Sequence, residues 1–420
     1  MGNYKVLEYY LLIIFILIYI WLVIFILNYQ IEKGLLFFLS TLSSILVLFT
    51  ILNILISGSI HYKAKATDNT DNKELVMKNP PSIYYLIVDS YARNDVLKNI
   101  YGFNNDRFIN FLHVKGFFVG KKSTANYHET MLSIASSLNM CYLDSLIKAA
   151  GKESEDRILI KEMVLNNKVM RFLKNYGYKT ISFNSQYPLI NMNNVDLFIT
   201  LRLPLDEFRL SIINLTPFRI LLKSFSRSNP YRLHGESIIS IFNNLRKLTD
   251  FEYPKFVFAH ILAPHSPFVF NKNGLKEEFE DIPFSLNDGP QQSDIKKYIE
   301  DYINQLTFIN EKLIVLINHI IEKEPGAIII LQSDHGPASS LDCKSHEYIN
   351  ILERISILNA IYLPDQSYTS LYDSITPVNT FRYILNRYFN GDSALLEDDS
   401  YISTSNKPFN VNKIDKTLIR

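Results

Sequence analysis

The chain has 420 residues, with 43 Lys and Arg against 42 Asp and Glu. That balance argues against a nucleic-acid protein, which needs a basic face. Two cysteines exclude a disulfide framework and a cysteine-built zinc knuckle; Cys141 and Cys343 could pair in an oxidising compartment, but two free thiols are the simpler reading. The chain opens on two apolar stretches, 9–27 and 35–60, that hold no charged residue. Each is long enough for a hydrocarbon layer that takes about 20 apolar residues. Neither has the polar face of a core helix, and Tyr9, Tyr10, Tyr19, Trp21 and Tyr29 place aromatics near the ends. The first run is too long for a cleaved signal peptide and has no small-x-small exit. Residues 1–60 therefore read as a transmembrane helical hairpin in a multi-pass membrane protein, with the rest of the chain on one side. Lys5, Lys63 and Lys65 flank that side, and by charge alone they favour a cytoplasmic domain.

Residues 61–80 are polar and breaker-rich, and read as a linker. Strands and helices then alternate. Strands are expected at 82–90, 117–120, 178–184, 255–263, 327–332 and 355–363; helices at 104–116, 129–140, 166–177, 294–323 and 376–389. Thr376 and Pro377 give the last helix an N-cap and a first-position proline. Buried strands alternating with helices predict an α/β fold, a mostly parallel sheet with helices on both faces. Residues 201–250 are the least regular stretch and read as a possible insertion, while 391–420 reads as a tail.

In such sheets, sites gather beyond the carboxyl ends of the strands. Three of the expected strands end in groups that can bind metal. "YYLIVDSY" ends in Asp89, "AIIILQSDHG" in Asp334 and His335, and "FVFAHILAPHSP" in His260 and His265. A single acid there is usually a turn or cap residue. Several acids on one sheet edge would repel one another, and one divalent cation, zinc or manganese before magnesium, would resolve that repulsion. A fourth stretch, "NYHETMLSIASSL", puts Thr130 at the start of a helix. Its hydroxyl is either an ordinary N-cap or, beside a metal, a nucleophile toward a phosphorus or sulfur centre.

The ordered set "IYYLIVDSYAR", "NYHETMLSIASSLNM", "FVFAHILAPHSPF" and "LQSDHGP" resembles the alkaline phosphatase/sulfatase superfamily over roughly residues 80–390. Within it, the set is similar to the membrane-anchored branch that includes lipoteichoic acid synthases and phosphoethanolamine transferases. The resemblance implies a sulfatase-like catalytic domain at 81–390. It implies metal ligands at Asp89, Thr130, Asp334 and His335, with Thr130 also taking the transferred group covalently. His260, His265 and His346 would face substrate, and His265 would serve the leaving group. A phospholipid-type or other phosphoester donor, a surface glycan or lipid acceptor, and an extracytoplasmic domain on a bacterial-type membrane are implied as well, against the lysine bias.

Two departures narrow the implication. Sulfatases matured to formylglycine carry Cys or Ser where this chain has Thr130. Two-metal members have a second Asp where Ser90 stands, which favours one ion. The leading expectation is a metal-dependent hydrolase or transferase of phosphate, less readily sulfate, esters. The alternative is a non-catalytic binding or assembly component of an envelope-polymer system that keeps the fold.

Overall fold

The computed structural model describes residues 80–200, 229–279, 284–289, 294–342, 347–348, 350–404 and 407–419, with scattered positions between 17 and 45. Two compact units are present, 1–71 with 212–225 and 72–211 with 226–420. The expected hairpin and linker fall almost wholly outside the described residues. Leu17, Ile20, Trp21, Phe38, Leu42 and Ile45 of the first unit are helical with exposed side chains. Among the described residues no helix is long and apolar enough to cross a membrane.

In the second unit the chain runs β1 (Ile83–Val88), α1 (Asn94–Asn99), α2 (Asp106–Val114), β2 (Phe118–Val119), α3 (Thr130–Asn139), α4 (Asp144–Ala150), α5 (Ile158–Leu165), α6 (Lys168–Asn175), β3 (Lys179–Phe183) and β4 (Leu197–Ile199). It continues through α7 (Pro230–Lys247), β5 (Lys255–Ile261), a small hairpin of β6 (Phe270–Asn271) and β7 (Gly274–Leu275), then α8 (Ile295–Lys323) and β8 (Ile328–Gln332). After β9 (Leu341–Asp342), β10 (Glu347–Tyr348) and α9 (Ile351–Ile355) come β11 (Asn359–Tyr362), α10 (Pro377–Tyr388) and a closing hairpin, β12 (Tyr401–Thr404) and β13 (Lys407–Lys413).

The main sheet has the order β2-β11-β8-β1-β5-β3-β4. β8, β1, β5, β3 and β4 are parallel, and β11 is antiparallel to both its neighbours. The expected α/β architecture is what the chain adopts. Alternation along β1 shows why. Tyr84, Leu86 and Val88 pack against α1, α2, α7 and α8 on one face, and Ile83, Tyr85 and Ile87 against α3, α5, α6 and α10 on the other. A strand covered on both sides must be apolar throughout, so period-two patterning is absent. β1 lies at the centre with β5 on one side and β8 on the other, which makes its carboxyl end the switch point of the sheet.

Several local readings shift. Thr376 does precede α10, yet its hydroxyl donates to Asp398 Oδ1 at 2.8 Å and makes no cap bond to the helix. The strand expected at 355–363 begins at Asn359, because residues 351–355 form α9. Within 201–250, residues 201–228 lie outside the described residues, and α7 fills most of the remainder. The segment after Gly391 folds into β12–β13, whose Tyr401 stacks on Tyr127 with ring centroids 5.3 Å apart.

Candidate active site

Asp89 follows the last residue of β1, and its N–H donates to the Ile261 carbonyl of β5 at 3.0 Å. The next residue, Ser90, takes a left-handed conformation with φ 62°. That turn aims its N–H at Asp334 Oδ1 (3.4 Å) and its hydroxyl at Asp89 Oδ1 (3.1 Å). Asp334 and His335 leave the end of β8 next door. Asp89, Asp334 and His335 each offer a ligand atom within 4.8 Å of the others, and all three are buried.

The state of His335 decides what this cluster can hold. Its Nδ1 faces the Gly336 carbonyl at 3.0 Å, and a carbonyl only accepts, so Nδ1 carries the hydrogen. In the neutral ring Nε2 then presents a lone pair, the arrangement in which a backbone acceptor sets the tautomer of a metal-binding imidazole. Nε2 lies 3.3 Å from Asp334 Oδ2 and 3.6 Å from Asp89 Oδ1. Asp334 Oδ2 accepts no hydrogen bond although it is buried. Lone pairs converging in a buried space are unfavourable unless a cation sits among them. The donor set, two carboxylate oxygens and an imidazole nitrogen, fits one divalent ion.

Thr130 meets this cluster from α3. It is the first helical residue; the N-cap position belongs to Glu129, whose side chain makes no cap bond. The N-cap reading of Thr130 therefore fails. Its hydroxyl lies 3.0 Å from His335 Nε2, among the candidate ligands. The leading N–H groups of α3 have no intrahelical partner and, with the helix dipole, favour an anion beside that hydroxyl.

His260 is wholly buried in β5, with Nε2 3.0 Å from Asp89 Oδ2. It touches Asp89 from behind. His265 lies in the turn after β5, and both ring nitrogens are engaged: Nδ1 with the Ser266 carbonyl, Nε2 with Asp288 Oδ1 at 2.8 Å. Burial opposes charge on this imidazole, but the Asp89 and Asp288 carboxylates outweigh it and raise its pKa to about 10. Burial likewise opposes ionisation of Asp288, and Arg354 and His265 hold its carboxyl well below the usual range. His346 and Cys343 lie outside the described residues, while Cys141 is a free thiol.

A family model described as Sulfatase matches residues 81–384. The chain belongs to the sulfatase family. Sulfatase-family enzymes of the alkaline phosphatase/sulfatase superfamily are hydrolases and phosphotransferases, and this chain is one of them. Among solved structures, it is similar to the C-terminal periplasmic domain of EcEptC from Escherichia coli, with 15% identity and a TM-score of 0.51 over 81% of this chain and 94% of that one. The same domain in complex with Zn gives 15% identity and a TM-score of 0.52 over 78% and 90%. The periplasmic domain of phosphoethanolamine transferase EptC from Campylobacter jejuni gives 12% and 0.45 over 79% and 94%. At these identities the likeness is one of fold. No curated protein sequence matches the chain.

Around the family's ordered motifs the fold adds residues that no motif marked. Asp288 reaches His265 from the 284–289 loop. Arg354, at the end of α9, donates from Nη2 to Asp288 Oδ2 at 2.8 Å. Arg157 leads into α5 and lies 3.4 Å from Glu129, whose carboxyl burial pushes up to about 7 against the pull of Arg157. Gln186, left-handed at φ 65°, bonds His234 of α7 through its side-chain oxygen. The Asn229–Pro230 pair was a legible start for α7, since the Asn229 side chain caps it at 2.9 Å. Nothing in the sequence pattern pointed to Asp288.

Proposed function

We propose that this protein is a membrane-anchored, metal-dependent enzyme that transfers or hydrolyses phosphate esters through a covalent Thr130 intermediate, acting on a cell-envelope glycan or lipid. The observation that carries this reading is the Thr130 hydroxyl at 3.0 Å from His335 Nε2, at a helix N-terminus and among buried ligand atoms. Asp89, Asp334 and His335, with Thr130, would hold the ion. When bound, a divalent ion such as zinc supplies positive charge that neutralises the carboxylates and polarises the oxygens beside it.

The chain's own groups do the rest. The Thr130 hydroxyl gives up its proton to solvent, its oxygen forms the bond to phosphorus, and the bond to the leaving oxygen breaks. The first turn of α3 offers N–H groups to the charge that develops on the phosphoryl oxygens. His260 keeps Asp89 in place from behind. His265 holds a proton at each nitrogen, and the Nε2 proton passes to the leaving oxygen as substrate draws it from Asp288. Water or an acceptor hydroxyl then attacks phosphorus, returns a proton to His265 Nε2 and frees the Thr130 oxygen; that choice separates hydrolysis from transfer.

The membrane hairpin at 1–60 is supported by its two uncharged apolar stretches and by the exposed apolar side chains on its described helical positions. An extracytoplasmic domain, a phospholipid-type donor and a glycan or lipid acceptor complete the proposal, and a fold shared with a periplasmic domain supports the first of these. The test uses the full chain in detergent, as wild type and Thr130→Ala. Bound metal is measured by elemental analysis, and turnover on a chromogenic phosphodiester and a labelled phospholipid. About one metal per chain, turnover, and a phosphorylated Thr130 in quenched wild type are expected. Equal activity in the two proteins, or none with no metal, overturns the reading.

A further inference from the structure

Arg354 takes no part in the chemistry just described, yet its side chain is 1% exposed and its bonds reach three arms of the site. Nε donates to the His128 carbonyl at 2.9 Å, two residues before Thr130. Nη1 donates to the Gly336 carbonyl at 3.0 Å, one residue after His335. Nη2 donates to Asp288 Oδ2 at 2.8 Å, and the other oxygen of Asp288 holds His265. The Arg354 carbonyl closes the circuit by accepting from Gly336 N–H at 2.6 Å. We propose that Arg354 is a positioning residue: it sets the distances among the Thr130 turn, the Asp334–His335 turn and His265. The inference rests on the reading of Thr130 as nucleophile.

The surrounding chain is built around this side chain. Next to it, Ile355 accepts from Ala125 N–H at 2.7 Å, so α9 and the turn ahead of Thr130 are joined twice. A Cβ on Gly336 would stand 2.0 Å from the Glu353 carbonyl oxygen, so only glycine lets the ligand turn come this near. The glycine of "SDHGP" is therefore there for Arg354's segment as much as for the turn. Guanidinium suits the task because it is planar and presents donors in fixed, divergent directions. An ammonium has one nitrogen and cannot span three acceptors on three segments. Asp288 neutralises the buried charge. Loss of a fixed orientation at a reacting centre costs rate more than binding, with about 10²-fold for displacements near 1 Å.

The full chain in detergent, as wild type, Arg354→Lys, the double variant R354M/D288N and Thr130→Ala, separates the outcomes. The double variant removes charge from both partners, so neither is left as an unpaired buried ion, and His265 keeps Asp89 as its counter-charge. Steady-state kinetics on the chromogenic phosphodiester are expected to show kcat down about 100-fold in both Arg354 variants, with KM within about threefold of wild type. Calorimetric titration with zinc is expected to show affinity about tenfold weaker, as for lost orienting contacts, and the urea midpoint of the double variant is expected near that of wild type. Wild-type kcat and zinc affinity in either Arg354 variant overturn the positioning role while leaving Thr130 untouched. Early unfolding of both assigns Arg354 to stability alone and overturns it too. If wild type shows neither zinc binding nor turnover lost in Thr130→Ala, the reading of the site fails, and this inference with it.

Discussion

The two ends of the central sheet bury charge in opposite ways. At the amino end Lys255, with a wholly buried side chain, donates to Glu324 Oε1 at 2.8 Å and to the Phe251 carbonyl at 3.0 Å. Tyr84 donates to the same carboxylate oxygen at 2.5 Å. Each charge there has an opposite charge and further hydrogen bonds. At the carboxyl end Asp89, Asp334 and His335 converge with no Lys or Arg pairing with them among the described residues, and Asp334 Oδ2 accepts no hydrogen bond. Compensated burial is the signature of structure, and uncompensated burial persists where something else supplies the charge. The difference teaches where to look for function before any family is named.

Thr130→Ala should show the largest effect at the carboxyl end: turnover falls about 10³-fold or more, equivalent to roughly 4 kcal/mol in the barrier. Its thermal midpoint should stay close to wild type, because a hydroxyl facing a site does little for the core. At the amino end Lys255→Met leaves Glu324, with 16% of its side chain exposed, without its cation. That should cost about 3–5 kcal/mol, read as a fall in the urea midpoint, while the folded fraction keeps wild-type turnover. If Thr130→Ala unfolded easily, or if Lys255→Met were as stable as wild type, the contrast between the two ends would collapse.

Asp334→Asn sharpens the contrast by reversing its sign. In a chelator, removing a buried carboxylate with an unsatisfied oxygen should raise stability, by about 1–3 kcal/mol. Adding zinc should stabilise wild type by mass action and leave Asp334→Asn nearly unmoved. Calorimetric melting with and without zinc reads both effects. A variant less stable than wild type in chelator would show that Asp334 is already satisfied, and so no ligand-in-waiting.

How much of this was legible beforehand follows from what each residue owes to its neighbours in sequence. β1, β5 and β8 stood out because strands covered on both faces must be aliphatic or aromatic from end to end. Asp89, Asp334 and His335 stood out because they interrupt such runs at their carboxyl ends. Thr130 was placed on the right helix, but whether its hydroxyl capped that helix or faced the cluster depends on β8, 205 residues away. Ser90 was read only as a missing acid; its left-handed turn, which aims it at both carboxylates, has no signature in a single sequence. Asp288 and Arg354 were invisible for a related reason. Loop residues carry no periodicity, and Arg354 is buried only because three segments distant in sequence converge on it.

His234 offers the smallest effect, and one that tests whether burial beside the site is paid for in stability. It lies on α7, 1% exposed. Burial first, and the nearby charge of His265 next, pull its pKa down from 6.5 to about 3. The groups facing it from other elements are Gln186 at Nδ1, the Leu262 carbonyl, and the Phe284 ring edge-on, with Asp89 a weaker opposing charge. A histidine depressed on folding contributes stability that is whole above pH 6.5 and is lost as pH falls toward 3, because the unfolded chain takes up the proton first. Between pH 7.0 and 5.5 that loss should be about 1 kcal/mol. Urea unfolding of wild type and His234→Gln at both values isolates it, since every other group titrates in both proteins. The wild type should lose about 1 kcal/mol more than the variant over the interval. Equal losses would mean that His234 reaches solvent or takes its proton in place, and α7 would then be an open wall of the site instead of a sealed one.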